Sequence, residues 1–490
     1  MSTTRPVAGT AGPPVQDSGV RYDTPEDLGI AELVHAFRDK RLSPVDVVNA
    51  QLARIRARNP AINAFAHLDE AGALRSARAA EARWQRGEPL GALDGVTFTA
   101  KDNLLVKGYP SRRGSLTTST APMTGNSPIV ARCLESGAVF IGLTTMPEFA
   151  MGPITISPLT GITRNPWNPA KQAGGSSGGA AAAVSAGFCT FAVASDAGGS
   201  IRIPAALTGV VGYKPSGGRV PLYPPSVAGA LSCNGPITHS VRDAARVLAI
   251  ATRPDARDPL ALPADNVDYE QLLEGGIRGW RIAMSLTLGY AQQVDPELCD
   301  AVLRAAEVLR GLGAVVEERD PPVEDPTDSY VTLLRGTVRY SLRNLTPAQR
   351  AQVSASARDI LEGPDISLAD YLRIQEQCQS LARRMHAFHQ DYDLLITPTV
   401  AAPAFAAERY YPEAFEKFPN RRAWTPFTAL FNLTQQPAIS VPAGLTGEGL
   451  PVALHIVGPR AADAKVLRAA HAYEAAAGYS QLRAPKAGLC

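Results

Sequence analysis

Residues 174–216 read GGSSGGAAAAVSAGFCTFAVASDAGGSIRIPAALTGVVGYKPS, and the order of elements within them points to the fold. Gly174-Gly175-Ser176-Ser177-Gly178-Gly179 opens onto a run of small apolar residues that continues from Ala180 to Gly187. A glycine-serine run is also the composition of a flexible linker, but a linker continues in polar residues, whereas this one leads into a buried-looking helix. Phe191-Ala192-Val193-Ala194 then reads as a strand, with Asp196-Ala197-Gly198-Gly199-Ser200-Ile201-Arg202 at its end. Upstream, Lys101-Asp102-Asn103 follows another apolar strand at 96–100. In an open α/β sheet ligands bind at the carboxyl ends of strands, so two of the three segments fall where a site is expected.

Working outward, Thr24-Pro25-Glu26-Asp27 has the cap, proline and acids of a helix start. Ser43-Pro44 opens a second helix with Val48, Leu52 and Ile55 on one face, and 70–85 is a third, rich in Ala and Arg. Residues 21–90 therefore read as a helical segment. Beyond 95, a helix from Ser127-Pro128 stops at Gly137 and a strand follows at 139–141. Ser240-Val241-Arg242-Asp243 forms a capping box. Further strands are predicted at 281–284, 315–317, 394–397, 438–441 and 452–457. Strands alternating with helices predict an α/β fold with a largely parallel sheet covered on both faces. Residues 1–20 read as a flexible tail and 21–490 as a single domain with its catalytic core at 91–480.

Composition excludes several classes. Lys plus Arg number 48 against 46 for Asp plus Glu, a net charge of +2, so no strong pull toward nucleic acid or an anionic membrane is expected. Neither a secretory signal nor an apolar run long enough to span a bilayer is present. Cys133, Cys189, Cys233, Cys299, Cys378 and Cys490 are scattered without a CxxC pair, which reads as reduced thiols in a cytoplasmic protein. Gly 42 and Pro 40 predict many structured loops.

Several chemistries fit parts of the chain. Gly174-x-Ser176-x-Gly178 matches a nucleophile elbow, but that motif needs a strand directly before it, and the proline-containing stretch 165–171 is a poor central strand. No phosphate-binding glycine loop is present. His386 and His389 have an HxxH spacing without an obvious third metal ligand. A lysine replaces histidine as general base when burial removes its charge, and Lys101 after an apolar strand is a candidate, the alternative being an ion pair with Asp102. Gly198 and Gly199 before Ser200 suit a turn whose amides converge on an oxyanion, or an ordinary tight turn.

Together these segments resemble the amidase signature family of serine hydrolases. Supporting stretches are GVTFTAKDN around Lys101, TTMPEFA at 144–150, TRNPWNP at 163–169, GPITHSVRDAA at 235–245, DLLITPT at 393–399, and FNLTQQPAISVP followed by LPVALHIVGPR. The resemblance runs from about residue 25 to 480. It implies an α/β/α sandwich around a large mixed, mostly parallel sheet. It implies Ser200 as nucleophile, Ser176 on a cis peptide bond as the bridging serine, and Lys101 as base. The oxyanion hole maps to the backbone of Ala197, Gly198, Gly199 and Ser200, with Ser177, Asp196 and Arg202 in support. No metal or organic cofactor is implied. The expected partner is a small-molecule amide, with carbamates and esters as alternatives through the same tetrahedral geometry. Ala173 stands where many members have proline. Pro215-Ser216-Gly217-Gly218-Arg219 departs from the form associated with the glutaminase subunit of tRNA-dependent amidotransferases, which weakens that reading. Finally, Phe405, Tyr410, Tyr411, Phe415, Phe418, Trp424, Phe427 and Phe431 cluster within 405–431, a candidate lid over an apolar or aryl substrate or a locally packed insertion.

Overall fold

The computed structural model describes residues 24–226, 228–479 and 482–485; the predicted tail and Cys490 lie outside them. The strands are β1 (Phe65–Leu68), β2 (Thr97–Lys101), β3 (Val139–Thr144), β4 (Ile156–Ser157), β5 (Gly161–Ile162), β6 (Arg164–Asn165), β7 (Asn168–Gln172), β8 (Phe191–Asp196), β9 (Val211–Lys214), β10 (Cys233–Thr238), β11 (Arg281–Met284), β12 (Val315–Glu318), β13 (Leu394–Pro398), β14 (Ala438–Leu445) and β15 (Pro451–Val457). Eleven of them form one continuous sheet in the order β1-β3-β2-β8-β10-β9-β14-β15-β13-β11-β12, while β4-β5 and β6-β7 are separate hairpins.

The helices that position the site are α1 (Ile30–Arg38), α2 (Pro44–Ile62), α3 (Glu70–Arg86), α4 (Pro128–Glu135), α5 (Gly178–Ser185), α6 (Arg202–Thr208), α7 (Val241–Ala251), α8 (Pro296–Gly311) and α9 (Thr327–Ser341). Alternation along the strands assigns them to two layers. Val139, Ile141, Ala192 and Ala194 pack with Val48, Leu52, Ala73, Ala77 and Ala180–Val184, the apolar faces of α2, α3 and α5. Phe98, Ala100, Phe140, Phe191 and Val193 point the other way, into a core shared with α1, α4, α7 and α8. The result is the α/β/α sandwich the sequence implied.

Four expectations are corrected. Thr24 starts only a short 3-10 turn at Pro25–Asp27, and the first α-helix begins at Ile30. The helical segment contains β1, which pairs with β3 at the sheet edge. Asp243 does not complete a capping box with Ser240; its carboxylate accepts from Ile30 N–H at 3.1 Å and so ties α7 to α1. The sheet is mixed but not mostly parallel, since six of its ten strand pairings run antiparallel and four parallel. The reason is an insertion. β8-α6-β9 does leave two strands pointing the same way, but β10 runs between them and pairs antiparallel with both. Its sequence, CNGPIT, reads as a turn, because Gly235 and Pro236 are rare inside a central strand.

The glycine-serine run is dense packing rather than linker. Every residue of α5 is buried. A Cβ on Gly179 would lie 2.3 Å from Thr145 Oγ1, 2.5 Å from Thr145 N and 2.6 Å from Ala64 O. Only glycine lets α5 approach β3 this closely. Gly179→Ala is therefore expected to destabilise the fold by about 1–3 kcal/mol, the cost of overpacking a filled core, read as a lowered urea midpoint at unchanged slope.

Candidate active site

β2 and β8 are parallel neighbours with Ala100 opposite Val193, so both strands end at the same edge. Lys101, the last residue of β2, thereby lies beside Ser195 and Asp196, the last residues of β8. Ser176 arrives from a third direction, on the loop between the β6-β7 hairpin and α5. A strand does precede the Gly174-x-Ser176-x-Gly178 motif, contrary to the sequence reading, but β7 belongs to that two-stranded hairpin and not to the sheet. Thr155 fixes the loop from both sides: its hydroxyl donates to Gly174 O at 2.8 Å and accepts from Gly178 N at 3.2 Å. The Gly175–Ser176 peptide is cis, as the resemblance implied.

Lys101 Nζ lies 2.7 Å from Ser176 Oγ, 3.3 Å from Ser195 Oγ and 3.4 Å from Ser195 O. All three partners are neutral oxygens. Asp102, the alternative partner, turns away and accepts from the amides of Arg112 and Gly114 at 2.9 and 3.3 Å. Lys101 is 0% exposed. Burial therefore pulls its amine down to about 7, with the negative charge of Asp196 opposing the shift. Asn103 Nδ2 donates to Ser195 Oγ at 2.9 Å and holds that hydroxyl in place.

Ser200 is half-buried and lines the same cavity as Ser176. Ser177 N donates to Ser200 O at 3.2 Å, and Ser177 Oγ donates to Ser195 O at 3.3 Å. The hydrogen bonds join Lys101 to Ser176, whereas Ser176 and Ser200 share the cavity without a direct bond between their hydroxyls. Such links commonly close only when substrate is bound.

Asp196 organises the turn before Ser200. It accepts from Gly199 N at 2.7 Å, Ile201 N at 3.1 Å, and Arg202 Nε and Nη2 at 3.0 Å each. Burial works to raise its pKa, but the charge and hydrogen bonds of Arg202, with help from Lys214 and Asn432, hold it well below the usual carboxylate range. Arg202 also donates to Asn432 Oδ1 at 2.6 Å and contacts His455 Nε2 at 3.2 Å. Asn432 Nδ2 donates to Asp196 Oδ1 at 2.9 Å. The Gly199 amide is thus committed to Asp196 and departs from the four-amide oxyanion hole that the resemblance implied. Among the described residues the amides of Ala197, Gly198 and Ser200 have no protein acceptor.

Comparison with known proteins decides the family. The Amidase family model matches residues 46–467. The chain belongs to the amidase signature family. It is 36% identical over 463 residues to an acylamidase from Rhodococcus erythropolis, covering 91% of this chain and 95% of that one. It is 34% identical over 475 residues to a glutamyl-tRNA(Gln) amidotransferase component from Myxococcus xanthus, covering 91% and 97%. A crystal structure of a bacterial aryl acylamidase of the same family superposes with a TM-score of 0.86 at 32% identity, covering 93% of this chain and 97% of that one. The chain is an amide-hydrolysing enzyme.

Apart from Phe149, which lies in the TTMPEFA stretch, the walls of this amidase's cavity come from segments the sequence did not single out. They include Leu104, Leu105, Phe149, Leu222, Leu334 and Val338, together with Arg113 and Tyr330. Of the two readings of the aromatic cluster at 405–431, the locally packed insertion fits five of its rings, and none of the eight lines the cavity. Phe405, Phe415, Trp424, Phe427 and Phe431 are core residues, with Phe405 and Trp424 edge-to-face at 5.1 Å. These five fill an apolar core between two strands, whereas Tyr410 is exposed. His389 is likewise structural, its ring nitrogens facing Tyr392 O at 3.0 Å and Gln436 Nε2 at 2.9 Å. No group of three or more metal-ligating side chains occurs among the described residues. Nor is any described helix long and apolar enough to cross a membrane.

The ion pair behind the turn generates a stability prediction. Arg202→Met is expected to cost about 3–5 kcal/mol, because it leaves Asp196 charged, buried and without its cation. Urea unfolding followed by circular dichroism measures it.

Proposed function

We propose that this amidase cleaves linear amides with an apolar or aryl body by a Ser200–Ser176–Lys101 relay and an acyl-enzyme. The observation that carries this reading is the fully buried Lys101 amine, 2.7 Å from Ser176 Oγ and bonded only to neutral oxygens, behind a cavity that Ser176 and Ser200 share. The same contact carries a proton either way: a charged Nζ–H donates to Oγ, while a neutral Nζ accepts from the hydroxyl. With the amine neutral, Ser176 passes its proton to Lys101 and takes that of Ser200, whose oxygen attacks the carbonyl carbon. The tetrahedral oxyanion lies against the amides of Ala197, Gly198 and Ser200, each such donor contributing about 3–4 kcal/mol. The C–N bond breaks as the proton returns through Ser176 to the leaving nitrogen. Water then attacks the acyl-enzyme along the same proton path.

The apolar walls support an apolar or aryl substrate, and the acylamidase and aryl acylamidase relatives support amides as the bond cleaved. The amidotransferase relative raises a second reading, a glutaminase component working with partner chains. Against it stands the segment Pro215-Ser216-Gly217-Gly218-Arg219, which lacks the form expected of such components and is tied into this fold. Ser216 N donates to Asp463 at 2.9 Å, and Arg219 pairs with Asp265 at 3.0 Å.

The isolated chain is expected to hydrolyse p-nitroanilides faster than acetamide or malonamide, and a fluorophosphonate is expected to label it at Ser200. Labelling that persists in Ser200→Ala, or glutamine hydrolysis that appears only with added partner chains, overturns the reading. The pH profile tests the base separately. Because the active form of Lys101 is the deprotonated one, kcat/KM should rise with pH through about 7 and level off above it. Below pH 6 it should fall about tenfold per pH unit, as expected for loss of a single proton-accepting base. Lys101→Arg, which cannot deprotonate, should lose acylation by about 100-fold or more.

A further inference from the structure

We propose that Arg113 is a specificity residue that binds a carboxylate on the substrate, so that the preferred amides pair an apolar or aryl body with one anionic end. Arg113 lines the cavity that holds Ser176 and Ser200, and no other charged side chain among the described residues does. Its guanidinium carbon lies 5.9 Å from the ring centre of Phe149, which lines the same cavity. Among the described residues the Arg113 side chain has no hydrogen-bond or ion-pair partner. Its neighbour differs: Arg112 Nε donates to Thr118 Oγ1 and Nη2 to Ser115 O, each at 3.3 Å. Nor are the Arg113 nitrogens sealed in the core without a partner, as Arg58 Nε and Arg132 Nε are. Arg113 is half-buried and lines the cavity.

The loop is built to present this side chain. Arg113 has φ +53 and Gly114 φ +66, a left-handed pair that an L residue such as arginine adopts only when its surroundings enforce it. Asp102 supplies the enforcement by accepting from the amides on either side, Arg112 N and Gly114 N. Ser111 Oγ donates to Asp102 O at 2.8 Å, and Phe149 N donates to Arg113 O at 2.9 Å. Asp102 is also the one acid whose charge acts on the guanidinium, but it lies outside ion-pair distance and is bonded to backbone. Desolvation pulls the Arg113 pKa down, with Asp102 in partial opposition. A guanidinium stays protonated regardless. A half-buried cation without a partner favours an anion of complementary shape, and a carboxylate meets its planar fork with two parallel hydrogen bonds. Leu104, Leu105, Leu334 and Val338 supply apolar contacts for the rest of the ligand beside polar lining from residues such as Asn103 and Asn234.

Because this assignment rests on the amide-hydrolase reading, its test uses matched substrate pairs and a binding measurement. On the acyl side, succinyl p-nitroanilide is compared with butyryl p-nitroanilide. On the leaving-group side, 4-acetamidobenzoate is compared with acetanilide. In the wild type, at least one anionic member is expected to exceed its neutral counterpart at least tenfold in kcat/KM, mainly through KM. In Arg113→Met that ratio should collapse at least tenfold, and Arg113→Lys should restore part of it. A ratio cancels any general loss of activity in the variants. Ratios near one in the wild type for both pairs, or an unchanged ratio in Arg113→Met, overturn the assignment while leaving amide hydrolysis intact. If no anilide is cleaved, the functional reading has failed, and calorimetry with benzoate still decides the anion site. Binding to the wild type at least tenfold tighter than to Arg113→Met supports it; equal or absent binding in both overturns it.

Discussion

An ammonium group moved from water into a protein interior gives up its proton when no counter-charge is supplied, because the solvation it loses exceeds what neutral dipoles return. Lys101 is held under that constraint. Its stem runs out of a strand buried on every residue, and its amine meets only hydroxyl and carbonyl oxygens. An amine with a pKa of about 7 is obtained without histidine. Much of the surrounding architecture serves this arrangement. The parallel pairing of β2 with β8 brings the amine beside Ser195, and the close approach of α5 brings Ser176 to it.

The arrangement holds only if the nearby carboxylate does not re-protonate the lysine. Asp196 is fully buried and acts on Lys101 in that direction. Its charge is answered by Arg202 through two 3.0 Å bonds, and the remaining lone pairs are taken by Gly199 N, Ile201 N and Asn432 Nδ2. So paired, the carboxylate opposes the lysine's downward shift without cancelling it. Arg202 is satisfied in turn by Asn432 and by His455, whose imidazole is kept neutral by burial and by the arginine's own charge. The cluster isolates one buried charge pair from a second site that must stay uncharged.

The candidate catalytic segments were legible because their chemistry is local: glycine and serine in a fixed order, a strand, and a turn at its carboxyl end. Lys101 was legible because a buried-looking strand at 96–100 ends directly before it. The sheet topology was less so. β10 hides behind Gly235 and Pro236, and a Cβ on Gly235 would lie 2.2 Å from Tyr213 O, so a residue that looks like a turn former is required by close packing. The cavity walls were least legible. Leu222, Tyr330 and Arg113 come from loops and a helix far apart in sequence, and nothing in their local pattern distinguishes a wall from a surface. The aromatic cluster at 405–431 left two readings open for the converse reason: composition reports apolar volume but not which side of the sheet receives it.

The glycines of the turn show how the two charge-handling parts fit together. A Cβ on Gly198 would lie 2.1 Å from Tyr330 Oη, and Gly199 has φ +118, so neither position accepts another residue at this geometry. Thr428 Oγ1 donates to Gly198 O at 2.8 Å and so fixes the orientation of that carbonyl. One amide of the turn is spent on Asp196, while Ala197 and Ser200 line a cavity that no described acid lines and to which Arg113 brings a positive charge. On the proposed reading, positive potential meets the substrate at two places, the amides of the turn and the guanidinium. In a water-poor cavity such fixed dipoles and charges act at low effective dielectric and need no reorganisation as charge develops. A substrate bearing negative charge at one end and acquiring it at the carbonyl during attack matches both.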